Sequence, residues 1–255
     1  MCVAATPPPR SVSSEMCRPV SLTTVATAVG GPSSPKAAPA LKFNNFADKE
    51  QNDFERQVYE GELRWAMKKK KYFPGLSPAE LEVVEGKYQL RKDAAIKCRE
   101  LLSRARADLL KAKEEGKPEA IKVTRIGIAS AYRDPSHDFE AWQRAFRKHY
   151  KATSSIREKK EGGEHGPRAI EYMVEVMIPI KAVAGFSNHT SGIAVDFSTA
   201  LASPGSKEEE LGPNTNQHQA WQNSWLYDWL TKNAVQFGFK QLRTEEWHWD
   251  YKAAH

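Results

Sequence analysis

Cysteine is scarce in this 255-residue chain, and long apolar runs are missing. The three cysteines, Cys2, Cys17 and Cys98, lack the spacing of metal ligands, so we expect neither a disulfide framework nor a cysteine-based zinc site. No stretch reaches the roughly 18 uncharged apolar residues that a membrane-spanning helix requires, and the mean hydropathy is −0.64. We therefore expect a chain without a membrane span.

The composition nevertheless supports a substantial folded core. Hydrophobic residues make up 40% of the chain and aromatic residues 10%, which excludes a wholly disordered protein. The net charge of +6 comes from the N-terminal half. A solvated helical surface is the favoured explanation, and an anionic partner such as nucleic acid or cell-wall polymer is the alternative. The basic residues are not interleaved with aromatic ones and match no nucleic-acid-binding motif, so we expect no nucleic-acid partner.

The N-terminal half divides into a tail and a helical extension. Residues 1–45 are rich in Pro, Ser, Thr and Ala, which predicts a disordered tail without a convincing secretory signal. In residues 46–118 we expect two helices. The second would begin after the capping-box sequence Ser77–Glu80, and its apolar positions recur every three or four residues to about Glu115. Together the helices predict a helical hairpin.

Residues 119–255 change character and predict an α+β domain. Strands are expected near residues 121–128, 192–197 and 245–251, where β-branched or aromatic side chains concentrate. Helices are expected over residues 138–151 and 169–176, and around the three tryptophans at 221, 225 and 229. A small sheet with packed helices is therefore the expected fold class, preceded by the helical hairpin.

Two short segments of this domain combine residues that carry chemistry. His189 lies just before one predicted strand and Asp196 lies within it, while Gly192 permits a tight turn between them; His248 comes from the last strand. Two imidazoles and one carboxylate supply three ligands to Zn²⁺ and leave a fourth position for water. Glu245, three residues before His248, is the natural general base.

These residues resemble a known family of peptidases. The motif runs through Ser187, His189, Gly192, Ala194 and Asp196 and continues with Glu245, Trp247 and His248. It is similar to the zinc D-alanyl-D-alanine peptidases of the VanY and VanX type, which are LAS metallopeptidases. This resemblance implies the Hedgehog/DD-peptidase fold, a small antiparallel sheet with packed helices. Ala131-Tyr132-Arg133 resembles the S-G-Y-R segment of that family, and Gly238-Phe239 resembles its G-F pair. The resemblance covers about residues 120–252.

The resemblance implies a role for each of these residues. It implies one Zn²⁺ per chain, held by His189, Asp196 and His248, with Glu245 as catalytic acid and base. It implies that Arg133 binds a substrate carboxylate or steadies the oxyanion and that Ser187 contacts the substrate. Tyr132, Trp247 and Trp249 are expected to wall the cleft. We interpret Glu246 as a neighbouring surface carboxylate and His218 as a structural or surface histidine.

The implied function is hydrolysis of peptide bonds in peptidoglycan, with the stem peptide as partner. A D-Ala-D-Ala carboxypeptidase is favoured; an endopeptidase like those of phage endolysins and a non-catalytic zinc-binding module are the alternatives. Because this substrate lies outside the cytoplasm, we expect action in the periplasm or cell wall. The protein would be released by cell lysis, as endolysins are. Alternatively, it would be a wall-degrading effector that is loaded into a secretion or injection apparatus, with residues 1–45 as the targeting segment.

Overall fold

The computed structural model describes residues 41–202, 205, 207–213 and 215–252. Residues 1–40 of the predicted disordered tail lie outside the described residues, so the state of that segment stays a prediction. Within the described residues, no helix combines the length and the apolar character needed to cross a membrane.

Helices and strands follow one another in a mixed order. The helices are α1 Lys49–Lys69, α2 Lys92–Glu114, α3 Pro118–Ile121, α4 Pro135–Ala152, α5 Ser154–Arg157, α6 Pro167–Met177, α7 His218–Gln222 and α8 Trp225–Asn233. The strands are β1 Leu81–Glu85, β2 Tyr88–Arg91, β3 Val123–Ser130, β4 Ala194–Leu201, β5 Glu209–Leu211, β6 Phe239–Gln241 and β7 His248–Tyr251. Short 3₁₀ helices cover Pro78–Glu80, Thr215–Gln217 and Ala234–Phe237.

Local sequence signals explain where several helices begin. The Asp48 side chain accepts a hydrogen bond from the Glu50 backbone amide and so caps α1. Asp134 caps α4 in the same way, and Pro135 occupies the first turn, where a missing amide hydrogen costs nothing. Ser224 caps α8 and separates it from α7. The single helix predicted through the three tryptophans is therefore two helices.

The main sheet is antiparallel and has five strands. Its order is β3-β4-β7-β6, and β5 also pairs with β4. Strand β4 is the central element: it pairs with β3 over most of its length and with β7 over Ala194–Asp196. Seven of its eight residues are buried, as expected for a strand covered on both faces. The predicted α+β class with a small antiparallel sheet is confirmed.

Two hydrophobic clusters hold the fold together. The first joins α2 and α8 to the main sheet, and its fully buried residues include Leu101, Phe197 and Trp221. The second joins α1, α4 and α6 through residues such as Phe54, Trp142 and Met173. Both clusters contain side chains from before and after residue 118, where the sequence predicts a domain boundary. The domain boundary at residue 118 stays a prediction, but each of the two hydrophobic clusters extends across it.

The predicted helical hairpin is wrong. A two-stranded sheet of β1 and β2 occupies residues 81–91, which the apolar spacing assigns to the start of the second helix. The capping box at Ser77 and Glu80 forms, but it starts one 3₁₀ turn rather than a long helix. The two long helices also pack in different places, since the buried residues of α1 and α2 belong to different clusters.

Candidate active site

Three ligand-type side chains meet where β4 and β7 pair. Asp196 of β4 lies directly opposite His248 of β7, so both side chains project from the same face of the sheet. His189 reaches them from the turn before β4. The candidate ligand atoms of the three residues lie within 4.8 Å of one another, and all three residues are buried. The structure thus brings together the three predicted zinc ligands.

The turn between His189 and β4 depends on Gly192. This glycine has a φ of 72°, in the left-handed region that side-chain-bearing residues rarely adopt. A Cβ at this position would lie 2.5 Å from Leu76 Cδ1 and 3.0 Å from the Arg91 backbone nitrogen. The Gly192 amide donates to the His189 carbonyl at 3.1 Å and closes the turn. The role predicted for Gly192 therefore matches the geometry.

Hydrogen bonds outside the ligand set orient both imidazoles. His189 Nδ1 donates to the Ala131 carbonyl at 2.7 Å, and His248 Nε2 donates to Asp250 Oδ1 at 3.1 Å. Asn188 Nδ2 donates to the other Asp250 oxygen at 2.8 Å. The Ala131 carbonyl and the Asp250 carboxylate can only accept hydrogen bonds, so the ring nitrogens that face them carry the protons. The second nitrogen of each ring, His189 Nε2 and His248 Nδ1, is then available to bind a metal ion. Both histidines are therefore presented as metal ligands.

The remaining ring nitrogens converge on one carboxylate oxygen. Asp196 Oδ1 lies 2.9 Å from His248 Nδ1 and 3.3 Å from His189 Nε2. Burial disfavours the ionised carboxyl, but the charge of His189 and hydrogen bonds from both histidines outweigh it and hold the pKa of Asp196 below its usual range. Burial also opposes the His248 imidazolium, but the bonds with Asp196 and Asp250 raise the pKa of His248 to about 9. The site therefore favours positive charge at this point.

The donor set fits a catalytic zinc ion. Two imidazole nitrogens and one carboxylate oxygen are ligands that Zn²⁺ takes in open, three-ligand sites. The hydrogen bonds to Ala131 and Asp250 are the outer contacts that such ligands usually have. The predicted Zn²⁺ cofactor therefore has a matching set of ligands in His189, Asp196 and His248.

Glu245 lies beside this ligand set without joining it. Its Oε2 is 4.0 Å from His248 Nδ1, and its side chain is 41% exposed. Trp247 Nε1 donates to the same carboxylate oxygen at 3.0 Å, which fixes the orientation of the carboxylate. Glu245 Oε1 is thus available for proton transfer in the cavity that faces the ligands.

Glu246 points away from the site. Its two carboxylate oxygens accept hydrogen bonds from Gln222 Nε2, at 2.8 Å, and from His218 Nδ1. Glu246 is buried, so the expectation of a surface carboxylate is wrong. His218, expected to be a structural or surface histidine, has its contact with Glu246 rather than with the ligand set. The two adjacent glutamates therefore have separate surroundings, which makes Glu246 a matched control for Glu245.

Arg133 is fixed by three side chains beside the ligands. Its Nε donates to Asp138 at 2.9 Å, and its two terminal nitrogens donate to Ser130 Oγ at 3.1 Å and Ser187 Oγ at 3.4 Å. Asp138 is fully buried and also accepts a hydrogen bond from Thr190. The structure thus places Arg133 and Ser187 together, with the guanidinium held in one orientation.

A cavity of about 800 Å³ opens in front of these residues. It is lined by the three ligands and by Arg133, Ser187, Glu245 and Trp247, as the sequence predicts. Tyr132 does not line it: its hydroxyl accepts a hydrogen bond from the Leu76 amide at 2.9 Å and so anchors that loop. Trp249 is also absent from the lining, because its indole nitrogen donates to the Glu246 carbonyl. The contacts of Tyr132 and Trp249 thus differ from those expected of a cleft wall.

Sequence reasoning missed several residues that shape the site. Asp250 and Asn188 lie next to or near the ligands in sequence, and the alternation along β7 could have marked Asp250 as a partner of His248. No sequence pattern links Asp138 to the site, because this residue, which forms the ion pair with Arg133, lies on helix α4. Lys181 lines the cavity as well, from a segment in which no motif was apparent.

Comparison with solved structures finds nine similar chains, including the following three. A vancomycin-resistance D,D-pentapeptidase, VanY, solved with Zn(II), is 22% identical, with 68% of this chain and 78% of that chain covered and a TM-score of 0.42. VanYB in complex with D-alanine-D-alanine is 20% identical, with 69% and 81% covered and a TM-score of 0.42. The LdcB LD-carboxypeptidase is 17% identical, with 69% of each chain covered and a TM-score of 0.39.

Sequence comparison identifies the family directly. No curated protein sequence matches the chain. The family model described as VanY, D-alanyl-D-alanine carboxypeptidase, matches residues 87–254, about two thirds of the 255 residues. This range contains every residue of the ligand set together with Glu245, Arg133 and Ser187. The chain belongs to the VanY family of D-alanyl-D-alanine carboxypeptidases.

Proposed function

We propose that this chain is a zinc-dependent D,D-carboxypeptidase that removes the terminal D-alanine from the stem peptide of peptidoglycan. One observation carries the proposal: Glu245 lies 4.0 Å from His248 Nδ1, beside a His-Asp-His ligand set and in the same cavity as Arg133. A structural metal site has no use for a carboxylate in this position. Membership of the VanY family supports the same class of reaction.

The chain's own residues divide the chemistry between them. A Zn²⁺ ion held by His189, Asp196 and His248 would lower the pKa of water toward neutrality and would polarise a scissile carbonyl. Glu245 Oε1 accepts a proton from the attacking water and later delivers it to the nitrogen of the leaving D-alanine. The hydrogen bond from Trp247 holds Glu245 Oε2 during both transfers. The peptide C–N bond breaks, and the products are a shortened peptide and free D-alanine.

Arg133 stabilises the charge that develops on the carbonyl oxygen. Its guanidinium is permanently charged, and its contacts with Asp138, Ser130 and Ser187 hold it in place before the substrate arrives. A preorganised donor of this kind costs no reorganisation during the reaction. Ser187 positions Arg133 and offers its hydroxyl to the substrate at the same edge of the cavity.

A comparison of Glu245→Gln with Glu246→Gln tests this assignment. Glutamine keeps the size of the side chain but cannot accept the proton, so Glu245→Gln should retain zinc and fold. The release of D-alanine should fall by about a hundredfold to ten-thousandfold. Glu246→Gln should retain activity, because Glu246 contacts His218 and Gln222 rather than the cavity. Full activity of Glu245→Gln would refute the assignment of the general base.

The bond that is cut can be identified with intact substrates. Purified peptidoglycan and a soluble pentapeptide ending in D-Ala-D-Ala are incubated with zinc-loaded protein, and the products are analysed by mass spectrometry. Loss of one alanine from the pentapeptide supports the carboxypeptidase. Release of cross-linked fragments without free D-alanine would favour an endopeptidase, and no cleavage of either substrate would favour a non-catalytic zinc-binding module.

The substrate also locates the proposed activity. Peptidoglycan lies outside the cytoplasm, so the protein would act in the periplasm or cell wall. Release on lysis and loading into a secretion or injection apparatus both stay predictions, with residues 1–45 as the proposed address. A fusion of residues 1–45 to a reporter enzyme, assayed in the culture medium and periplasm, tests that address.

A further inference from the structure

Lys181 is a cation of the cleft that neither the motif nor the proposed chemistry uses. It follows α6 in the segment 178–187, and its backbone amide donates to the Met177 carbonyl at 3.1 Å. It is half-buried and lines the same cavity as Arg133, Asp196 and Glu245. The lysine therefore contributes to the wall that a bound substrate would face.

Arg133 and Lys181 are two of the four cations that line this cavity, with Lys70 and Lys71, and they differ in their partners. Arg133 is paired with the buried Asp138 and uses all three of its nitrogens on protein groups. Among the described residues, no hydrogen bond or ion pair is formed by Lys181 Nζ. An ammonium group that is partly removed from water and lacks a partner gains most when an anion binds beside it.

Charged groups of the active site surround Lys181, which lines the same cavity. Burial and the charge of Arg133 lower the pKa of Lys181, while Asp138, Asp196 and Glu245 act in the opposite direction. Arg133, Asp196 and Glu245 line the cavity together with Lys181, so the lysine shares this space with the ligand set and the proposed base. Asp196 serves as a ligand and Glu245 as the base, so neither is free to neutralise a lysine.

We propose that Lys181 binds the C-terminal carboxylate of the substrate. The inference rests on the proposed function and gives Arg133 and Lys181 separate roles. Arg133, already fixed by three contacts, faces the carbonyl oxygen, whereas the flexible and unpaired Lys181 pairs with the carboxylate of the terminal residue. Recognition of a free carboxyl terminus makes the cleft select the last residue of a peptide rather than an internal bond.

The test measures peptide binding without catalysis. In the zinc-loaded Glu245→Gln protein, calorimetry compares a peptide ending in D-Ala-D-Ala with the same peptide amidated at its C-terminus. A third peptide has a free C-terminus but an amidated side-chain carboxylate. The variants are Lys181→Met, Lys181→Arg and the control Lys148→Met, an exposed lysine of α4 outside the cavity. Zinc content and thermal unfolding establish that each variant is folded.

We expect Lys181→Met to weaken binding of the free-acid peptide by about ten- to a hundredfold, the size of one charge-assisted hydrogen bond. Binding of the C-terminally amidated peptide should be unchanged. Lys181→Arg should restore part of the affinity, and Lys148→Met should bind like the parent. With active protein, the same loss should appear mainly in KM rather than in kcat.

Three results would overturn the inference. Equal affinity of Lys181→Met and the parent for the free-acid peptide would exclude the contact. Equal losses for the free acid and the C-terminal amide would indicate a structural role. A loss that disappears only when the side-chain carboxylate is amidated would assign Lys181 to a different carboxylate. Because binding is measured on the Glu245→Gln protein, a failure of the proposed hydrolysis would be seen separately, in the cleavage assay.

Discussion

Glu62 of α1 is a buried carboxylate that we expect to make folding stability depend on pH. Its Oε2 accepts a hydrogen bond from Trp142 Nε1 at 2.7 Å, and only 1% of the residue is exposed. Burial outweighs this hydrogen bond and raises the pKa of Glu62 from 4.5 to about 7. The protonated form of Glu62 is therefore favoured in the folded protein below about pH 7.

The sign of the effect follows from the protons bound in each state. Between about pH 4.5 and pH 7 the folded chain retains a proton on Glu62 that the unfolded chain has lost. Stability therefore falls as pH rises through this window. At about 1.4 kcal/mol for each pKa unit, the full difference amounts to about 3 kcal/mol above pH 7. Below pH 4.5 the two states bind the proton equally and the effect vanishes.

Urea unfolding of Glu62→Gln at several pH values measures this difference. Glutamine mimics the neutral acid, so the variant should equal the parent near pH 4 and exceed its stability by up to about 3 kcal/mol near pH 8. Glu55, whose burial also raises its pKa to about 7, is present in both proteins and cancels in the comparison. Exposed Glu60, changed to Gln, is the control. A stability difference that does not change with pH would refute the reasoning.

Three further predictions concern the metal and the tail. His189→Ala and His248→Ala should each lose the one zinc per chain found in the parent by elemental analysis; unchanged zinc in both would contradict the ligand set. Asp250→Ala should weaken zinc affinity by about ten- to a hundredfold in a chelator competition, because His248 loses its orienting partner. Deletion of residues 1–40 should leave zinc content and peptide cleavage nearly unchanged, and a variant that fails to fold would refute the predicted disorder.

The ligand set was predictable because its chemistry is local. His189 and Asp196 are separated by a glycine turn and a few strand residues, and Glu245 precedes His248 by three positions. Residues this close in sequence also lie close together in the structure, because a short turn and a strand leave the backbone between them little conformational freedom. The pairing of Asp196 with His248 then follows from the register of two adjacent strands.

The surroundings of the site were not predictable in the same way. Tyr132 is next to Arg133 in sequence, yet its hydroxyl bonds to Leu76, which lies 56 residues earlier. Glu246 is buried by two side chains of α7 that no local pattern connects to it. The β1–β2 segment was misassigned to a helix because the spacing of Leu81, Val84 and Tyr88 is compatible with a helix and with a short β-hairpin. Long-range partners decided each case.

Helix α1 lies before the matched family region, yet it supports the wall of the cleft. The Ala184 amide donates to Tyr59 Oη at 3.2 Å, and the Phe73 amide donates to the Gly185 carbonyl at 2.7 Å. These contacts hold the segment 178–187, which carries both Lys181 and Ser187. Because a cleft positions its ligand only as well as its walls are fixed, α1 and the residues after it belong to the binding site rather than to an appendage.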